Sequence, residues 1–235
     1  MEQPNVSGID TMTHARLSLA LGLALATASF AAFAQLPGDI DKVNGSITAE
    51  SSQTYGDLST VNGSIRIESN AKADDAETVN GSINAADNIR VRSMTTVNGS
   101  IKVGTQAQID QSVETVNGSI FVDRGGNIGD DVTTVNGAIG LVDTDLAGGI
   151  ETVNGDVTVG IGSHVRGGIH VEKPGSSWFQ TGKRKPPRIV IGPNAVVEGQ
   201  LIFEREVVLY VHTTAKVGRI SGATAIPFST DTAPQ

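Results

Sequence analysis

The residues best suited to proton transfer or metal binding in the body of this chain are three histidines, His164, His170 and His212. Imidazole titrates near neutral pH and is the commonest zinc ligand, so a base or a metal centre would be sought there first. The three share no spacing that resembles a ligand set, and a histidine on an exposed strand is ordinarily inert. Serines are abundant, but most recur at one position of a repeat, which accounts for them without a nucleophilic role. Gly125-Gly126 and Gly148-Gly149 are not followed by Lys-Ser/Thr and so form no phosphate loop. The absence of cysteine excludes disulfides, thiolate nucleophiles and thiolate-ligated metal. The expectation is a non-catalytic chain with no catalytic residues, no metal site and no cofactor.

Binding chemistry is better represented. Residues 172–190 interrupt an otherwise regular pattern and contain Pro174-Gly-Ser-Ser-Trp178-Phe179 and Lys183-Arg184-Lys185-Pro-Pro-Arg188, including the only tryptophan. An aromatic pair beside four cations, on a chain of net charge −8, suits a polyanion such as an anionic head group or an acidic envelope polymer. Trp178, Phe179, Lys183, Arg184, Lys185 and Arg188 are therefore the candidate partner-binding loop. The net negative charge argues against nucleic acid as partner.

The pattern that this loop interrupts must position it. Val-Asn-Gly recurs at Val43, Val61, Val79, Val97, Val116, Val135 and Val153, at spacings of 18 or 19 residues. Five copies read Val-Asn-Gly-Ser-Ile, and six of the seven follow a threonine. Beneath this lies a period of six. Stepping from Val43 through Ala49, Tyr55, Val61 and onward, with two one-residue shifts, meets apolar residues as far as Val171, by way of Val135, Leu141, Ala147 and Val153. A second aliphatic or small residue often sits two positions earlier, as in Ile65/Ile67, Ile89/Val91, Ile101/Val103 and Ala107/Ile109. Spacing of two is strand alternation, and a period of six does not follow a helical face. The predicted unit is a short strand with two inward side chains and a corner. Three units form a triangular turn of about eighteen residues.

The expected fold is thus all-β, a single-stranded parallel β-helix (β-solenoid) of nine rungs, with the hexad residues converging on its axis. Right-handed winding is favoured by the general preference of parallel crossovers. Asn44, Asn62, Asn80, Asn98, Asn117, Asn136 and Asn154 should stack as a structural ladder along one edge. Asn and Gly tolerate the positive φ that a tight corner requires. The match of Asn-Gly-Ser to a glycosylation acceptor is then a by-product of the repeat, because adjacent sites would lie only about 4.8 Å apart.

The expected domain plan is a secretory signal peptide over residues 1–34, a β-solenoid over 35–220 with an inserted loop at 172–190, and a C-terminal cap and tail over 221–235. His14 and Arg16 precede an apolar run at residues 17–26 and then Ala32-Phe33-Ala34, the layout of a cleavable signal. That run is shorter than the ~20 residues of a membrane span. Export to the periplasm or cell surface, with no transmembrane segment in the mature chain, is the corresponding expectation. Aromatics at 4% and charged residues at 18% fit a thin aliphatic core. Ile226 and Phe228 are expected to fold over the last rung, and uncapped strand edges would invite self-association.

The Val-Asn-Gly-Ser-Ile rungs across residues 40–172 resemble the adhesin-type family of secreted bacterial β-solenoids. The stretch Ile191-Gly-Pro-Asn-Ala-Val-Val-Glu-Gly-Gln-Leu-Ile-Phe203 is similar to the bactofilins, polymer-forming β-helical proteins. These resemblances imply a cell-envelope scaffold, surface attachment or self-assembly, and they bring no catalytic residues. Bactofilins lack a signal peptide, so their cytoskeletal role is not carried over. The six-residue period also resembles left-handed hexapeptide-repeat enzymes, acyltransferases and a class of carbonic anhydrases. Those use histidines near a protruding loop, and here His170 lies beside one. That is the enzymatic alternative.

Overall fold

The computed structural model describes residues 38–174 and 185–234; the predicted signal peptide and Trp178, Phe179, Lys183 and Arg184 lie outside the described residues. Strands are parallel throughout and stack turn upon turn, with no helix among the described residues. Each turn has three short faces. The first carries strands such as Leu58–Asn62, Val113–Asn117 and Ile150–Thr152. The second carries Ile47–Ala49, Ile65–Ile67 and their successors to Ala225–Phe228, ten strands in one sheet. The third is made of shorter pieces such as Gln108–Ile109 and Asn127–Ile128. In two turns the third face runs straight into the first as one nine-residue strand, Lys72–Asn80 and Arg90–Asn98. This continuity joins the two faces into a sixteen-stranded sheet.

Register sets the turn at about eighteen residues. Ile47 pairs with Ile65, Ile65 with Ile83 and Ile83 with Ile101, eighteen apart each time. At 4.8 Å per rung, ten rungs give a stack of roughly 48 Å. The tenth rung exceeds the nine expected. It arises because Ile226 and Phe228 lie in a strand that pairs in parallel with Val208–His212.

On the second and third faces the six-residue rule holds. Ile67, Val91, Val103, Ile109, Val122, Ile128, Val159 and Val165 are all buried. On the first face it fails, and the failure is informative. Val43 is 49% exposed, and Val61, Val79, Val97, Val116 and Val135 are only half-buried on the outer side. The inward residue is the threonine before each of the later ones: Thr60, Thr78, Thr96, Thr115 and Thr134 are at most 2% exposed. Its inward partner two residues earlier is Leu58, Ala76, Met94, Val113 or Val132. Valine occupies the outer position because a β-branched side chain suits a pleated, half-covered surface. The apolar residue at the sixth position is therefore not a core marker on this face.

A second correction concerns the frame. Leu146, not Ala147, is the buried residue that pairs between Ile128 and Val165, while Ala147 is exposed. The corner after Leu141 is one residue shorter than its neighbours. Val171 likewise aligns with Thr152 rather than with Val153, and then with Phe203.

The expected insertion is present and adds fourteen residues to its turn. Val157 pairs with Ile189 across 32 residues, against eighteen for the preceding turn of the same face. It leaves after Ile169–Val171 and returns at Arg188–Ile191, at the corner where Asn-Gly stands in earlier rungs.

Candidate functional site

The Asn-Gly edge is the most highly organised surface feature, and each residue of its motif has a separate task. The asparagine amides form the expected ladder. Nδ2 of Asn62, Asn80, Asn98, Asn117, Asn136 and Asn154 donates to Oδ1 of the asparagine one rung before, at 3.0–3.1 Å. Beside it runs a serine ladder. The hydroxyls of Ser46, Ser64, Ser82 and Ser100 accept the backbone N–H of the next serine, at 3.2–3.3 Å. Ser119 Oγ accepts from Ala138 N–H in the same way, so alanine can end the series without loss.

The positive-φ explanation of Asn-Gly holds at only two of the seven pairs, at Gly45 (φ 114°) and Gly137 (φ 153°). None of the seven asparagines has positive φ. Left-handed residues instead line a different corner, between the second and third faces: Ser52, Asn70, Asn88, Gln106, Gly125, Asp143, Gly162 and Asn194, with φ between 45° and 72°. Glycine is required at the Asn-Gly corner by close approach. A Cβ on Gly81, Gly99, Gly118 or Gly137 would sit 1.8–1.9 Å from the carbonyl oxygen of the glycine one rung earlier. The same carbonyls accept the buried threonine hydroxyls. Thr78 Oγ1 donates to Gly63 O at 2.8 Å, and Thr96 Oγ1 to Gly81 O at 2.8 Å. The inward threonine is thus matched to a glycine carbonyl that no strand partner serves. The pairing lapses at Thr152, whose hydroxyl has no partner, and beyond it the same column becomes Val171 and Phe203.

The ladder ends at an arginine that sequence reasoning did not single out. Arg205 Nη1 donates to Asn154 Oδ1 at 2.7 Å and to Val153 O at 3.0 Å, reaching across the rung that carries the insertion. Asn117, Asn136, Asn154, Asp156, Lys185, Pro187 and Arg205 line a cleft of about 500 Å³ at this end. Its only sequence signal was a cation after the repeats, which nothing tied to Asn154.

Two described residues of the candidate loop have distinct positions. Lys185 is exposed and borders the cleft. Arg188 is committed to the fold: its N–H donates to Asp156 Oδ1 at 2.7 Å and its Nη2 to Pro234 O at 2.7 Å. Its guanidinium also lies 5.1 Å over the Tyr210 ring. A second cleft of about 800 Å³ runs beside it, between Ile161, Val190, Phe228 and the C-terminal residues 231–233.

The histidines are not brought together. His164 Nε2 meets Glu198 Oε1 at 2.8 Å on the third face, and His170 Nε2 meets Glu204 Oε1 at 3.1 Å on the first. His212 is buried against Phe228 with Nδ1 on Thr214 Oγ1. No metal-binding cluster of three or more His, Asp or Glu occurs among the described residues. The His164 and His170 pairs bridge the rung before the insertion to the rung after it. The bond from His170 holds the Glu204 carboxyl below its ordinary range. Glu77 and Glu151 on the outer first face are shifted the other way. Burial raises both, reinforced for Glu77 by Asp75 and for Glu151 by Asp131.

Comparison with models of known families, with characterised proteins and with solved structures finds no match.

Proposed function

We propose that this chain is an exported, non-catalytic scaffold of the bacterial cell envelope, adhesin-like in using a stiff rod to hold a binding loop. The supporting observation is the use made of the repeat. Thr, Asn, Gly and Ser each bond or pack along the axis, rung to rung, as a load-bearing rod requires. The inserted loop emerges at the end of that ladder, and its cations suit an envelope polyanion on a chain of net charge −8. Self-association through the unpaired edges of the terminal rungs is compatible with the same role.

The test is fractionation of the expressed full chain, with envelope-polymer binding measured before and after residues 175–184 are replaced by a Gly/Ser linker. Recovery outside the cytoplasm, with binding lost in the linker variant, supports the proposal. Cytoplasmic recovery contradicts export, and undiminished binding contradicts the loop as the docking element. Zinc analysis and molar mass address the carbonic anhydrase form of the hexapeptide-enzyme alternative, for which a zinc-containing trimer is the expected result.

A further inference from the structure

The cleft at the end of the asparagine ladder is walled mainly by groups that bind hydroxyls and anions. Each ladder amide commits one N–H and one oxygen lone pair to its neighbours along the axis. A primary amide has two N–H donors and two acceptor lone pairs, so Asn117 and Asn136, both exposed, keep one of each for a ligand. A sugar hydroxyl donates and accepts at once and suits such a pair. The amides recur at every rung, about 4.8 Å apart, so a sugar chain lying along this edge meets the same pair at successive rungs.

The cations set the charge of that ligand. Arg205 bonds only neutral acceptors, Val153 O and Asn154 Oδ1, and both through Nη1. It forms no ion pair among the described residues, so its Nε and Nη2 donors remain for an anion. Lys185, exposed on the same cleft, makes no bond to a described residue. The one carboxylate in the lining is Asp156, and its Oδ1 already accepts the Arg188 N–H. Gly137 adds a backbone donor: the N–H of Gly118 bonds the next asparagine carbonyl, whereas that of Gly137 finds no such partner among the described residues. Pro187 is the only apolar side chain in the lining, which leaves no wall for an acyl chain. Two cations on a chain of net charge −8 are too few to follow a nucleic-acid backbone.

We infer that this cleft binds an acidic glycan, with a sugar carboxylate against Arg205 and Lys185 and hydroxyls on the amides of Asn117 and Asn136. The inference rests on the envelope-polyanion reading above and names the class of polymer. The experiment titrates the full chain, by calorimetry, with a short galacturonate oligomer, polygalacturonate, the neutral glucose polymer dextran and anionic phospholipid vesicles. The oligomer reports the cleft alone, and the polymer reports the cleft and the inserted loop together. Arg205→Gln and Lys185→Gln should each weaken oligomer binding at least roughly tenfold, the loss of one charge-assisted contact. Lys185 supports no contact of the fold, so its variant tests the cleft even where Arg205→Gln loses stability. The Gly/Ser linker at 175–184 should leave oligomer binding unchanged and weaken polymer binding. Oligomer binding untouched by both substitutions, or matched by dextran, overturns the inference. Vesicle binding without oligomer binding also overturns it and leaves the loop as a docking element. Polymer binding undiminished in the linker variant, with oligomer binding lost in Arg205→Gln, supports the cleft and removes the loop.

Discussion

At the scale of the residue, the first face is held by contacts that a hydrophobicity pattern does not reveal. Gly99 is the sharpest case, since a methyl group there meets the Gly81 carbonyl oxygen at 1.9 Å. Gly99→Ala should therefore cost at least about 2–3 kcal/mol through overpacking, measured by denaturant unfolding. Thr96→Val keeps the shape but leaves the Gly81 carbonyl without its hydroxyl donor, a loss of about 1–3 kcal/mol. Glu77 gives a pH signature of definite sign. Its folded pKa is raised, so its contribution is present below the unfolded value of about 4.3 and is lost as pH rises through the folded value. Glu77→Gln should raise the melting temperature at neutral pH and leave it nearly unchanged at acid pH. An equal change at both would contradict the assignment.

At the scale of the element, each strand is too short to persist alone and owes its place to the rungs on either side. Ile101, fully buried between Ile83 and Ile120, reports this directly. Ile101→Ala should cost about 2–5 kcal/mol, and a loss under half a kilocalorie would misplace it. The period of these elements was legible because two faces put an aliphatic residue inside at every sixth position. The first face deceived because Val61 and its counterparts are outward yet apolar, while the inward Thr60 is polar by type. Corner lengths were illegible where neighbouring residues are both apolar, as at Leu146 and Ala147. The asparagine ladder could be foreseen from repetition, but its termination by Arg205 could not, since 51 residues separate that pair.

At the scale of the whole solenoid, stability is a sum over rungs and their interfaces, so a complete turn is a removable unit. Excising residues 80–97 joins Val79 to Asn98 and rebuilds the motif without a seam. That variant should remain β-rich and unfold cooperatively at lower denaturant; collapse to an unfolded chain would mean the rungs are not interchangeable. The insertion interface is the exception to this uniformity, because His164–Glu198 and His170–Glu204 bridge it from two faces. The account as a whole rests on in-register parallel stacking, in which Glu77 lies beside Thr95 on the outer surface and Thr96 points inward. The chain has no cysteine of its own, so paired cysteines read that register directly. Under mild oxidation Glu77→Cys with Thr95→Cys should form an intramolecular disulfide, and Glu77→Cys with Thr96→Cys should not. A bridge in the second pair and none in the first would contradict the stacking from which every other conclusion follows.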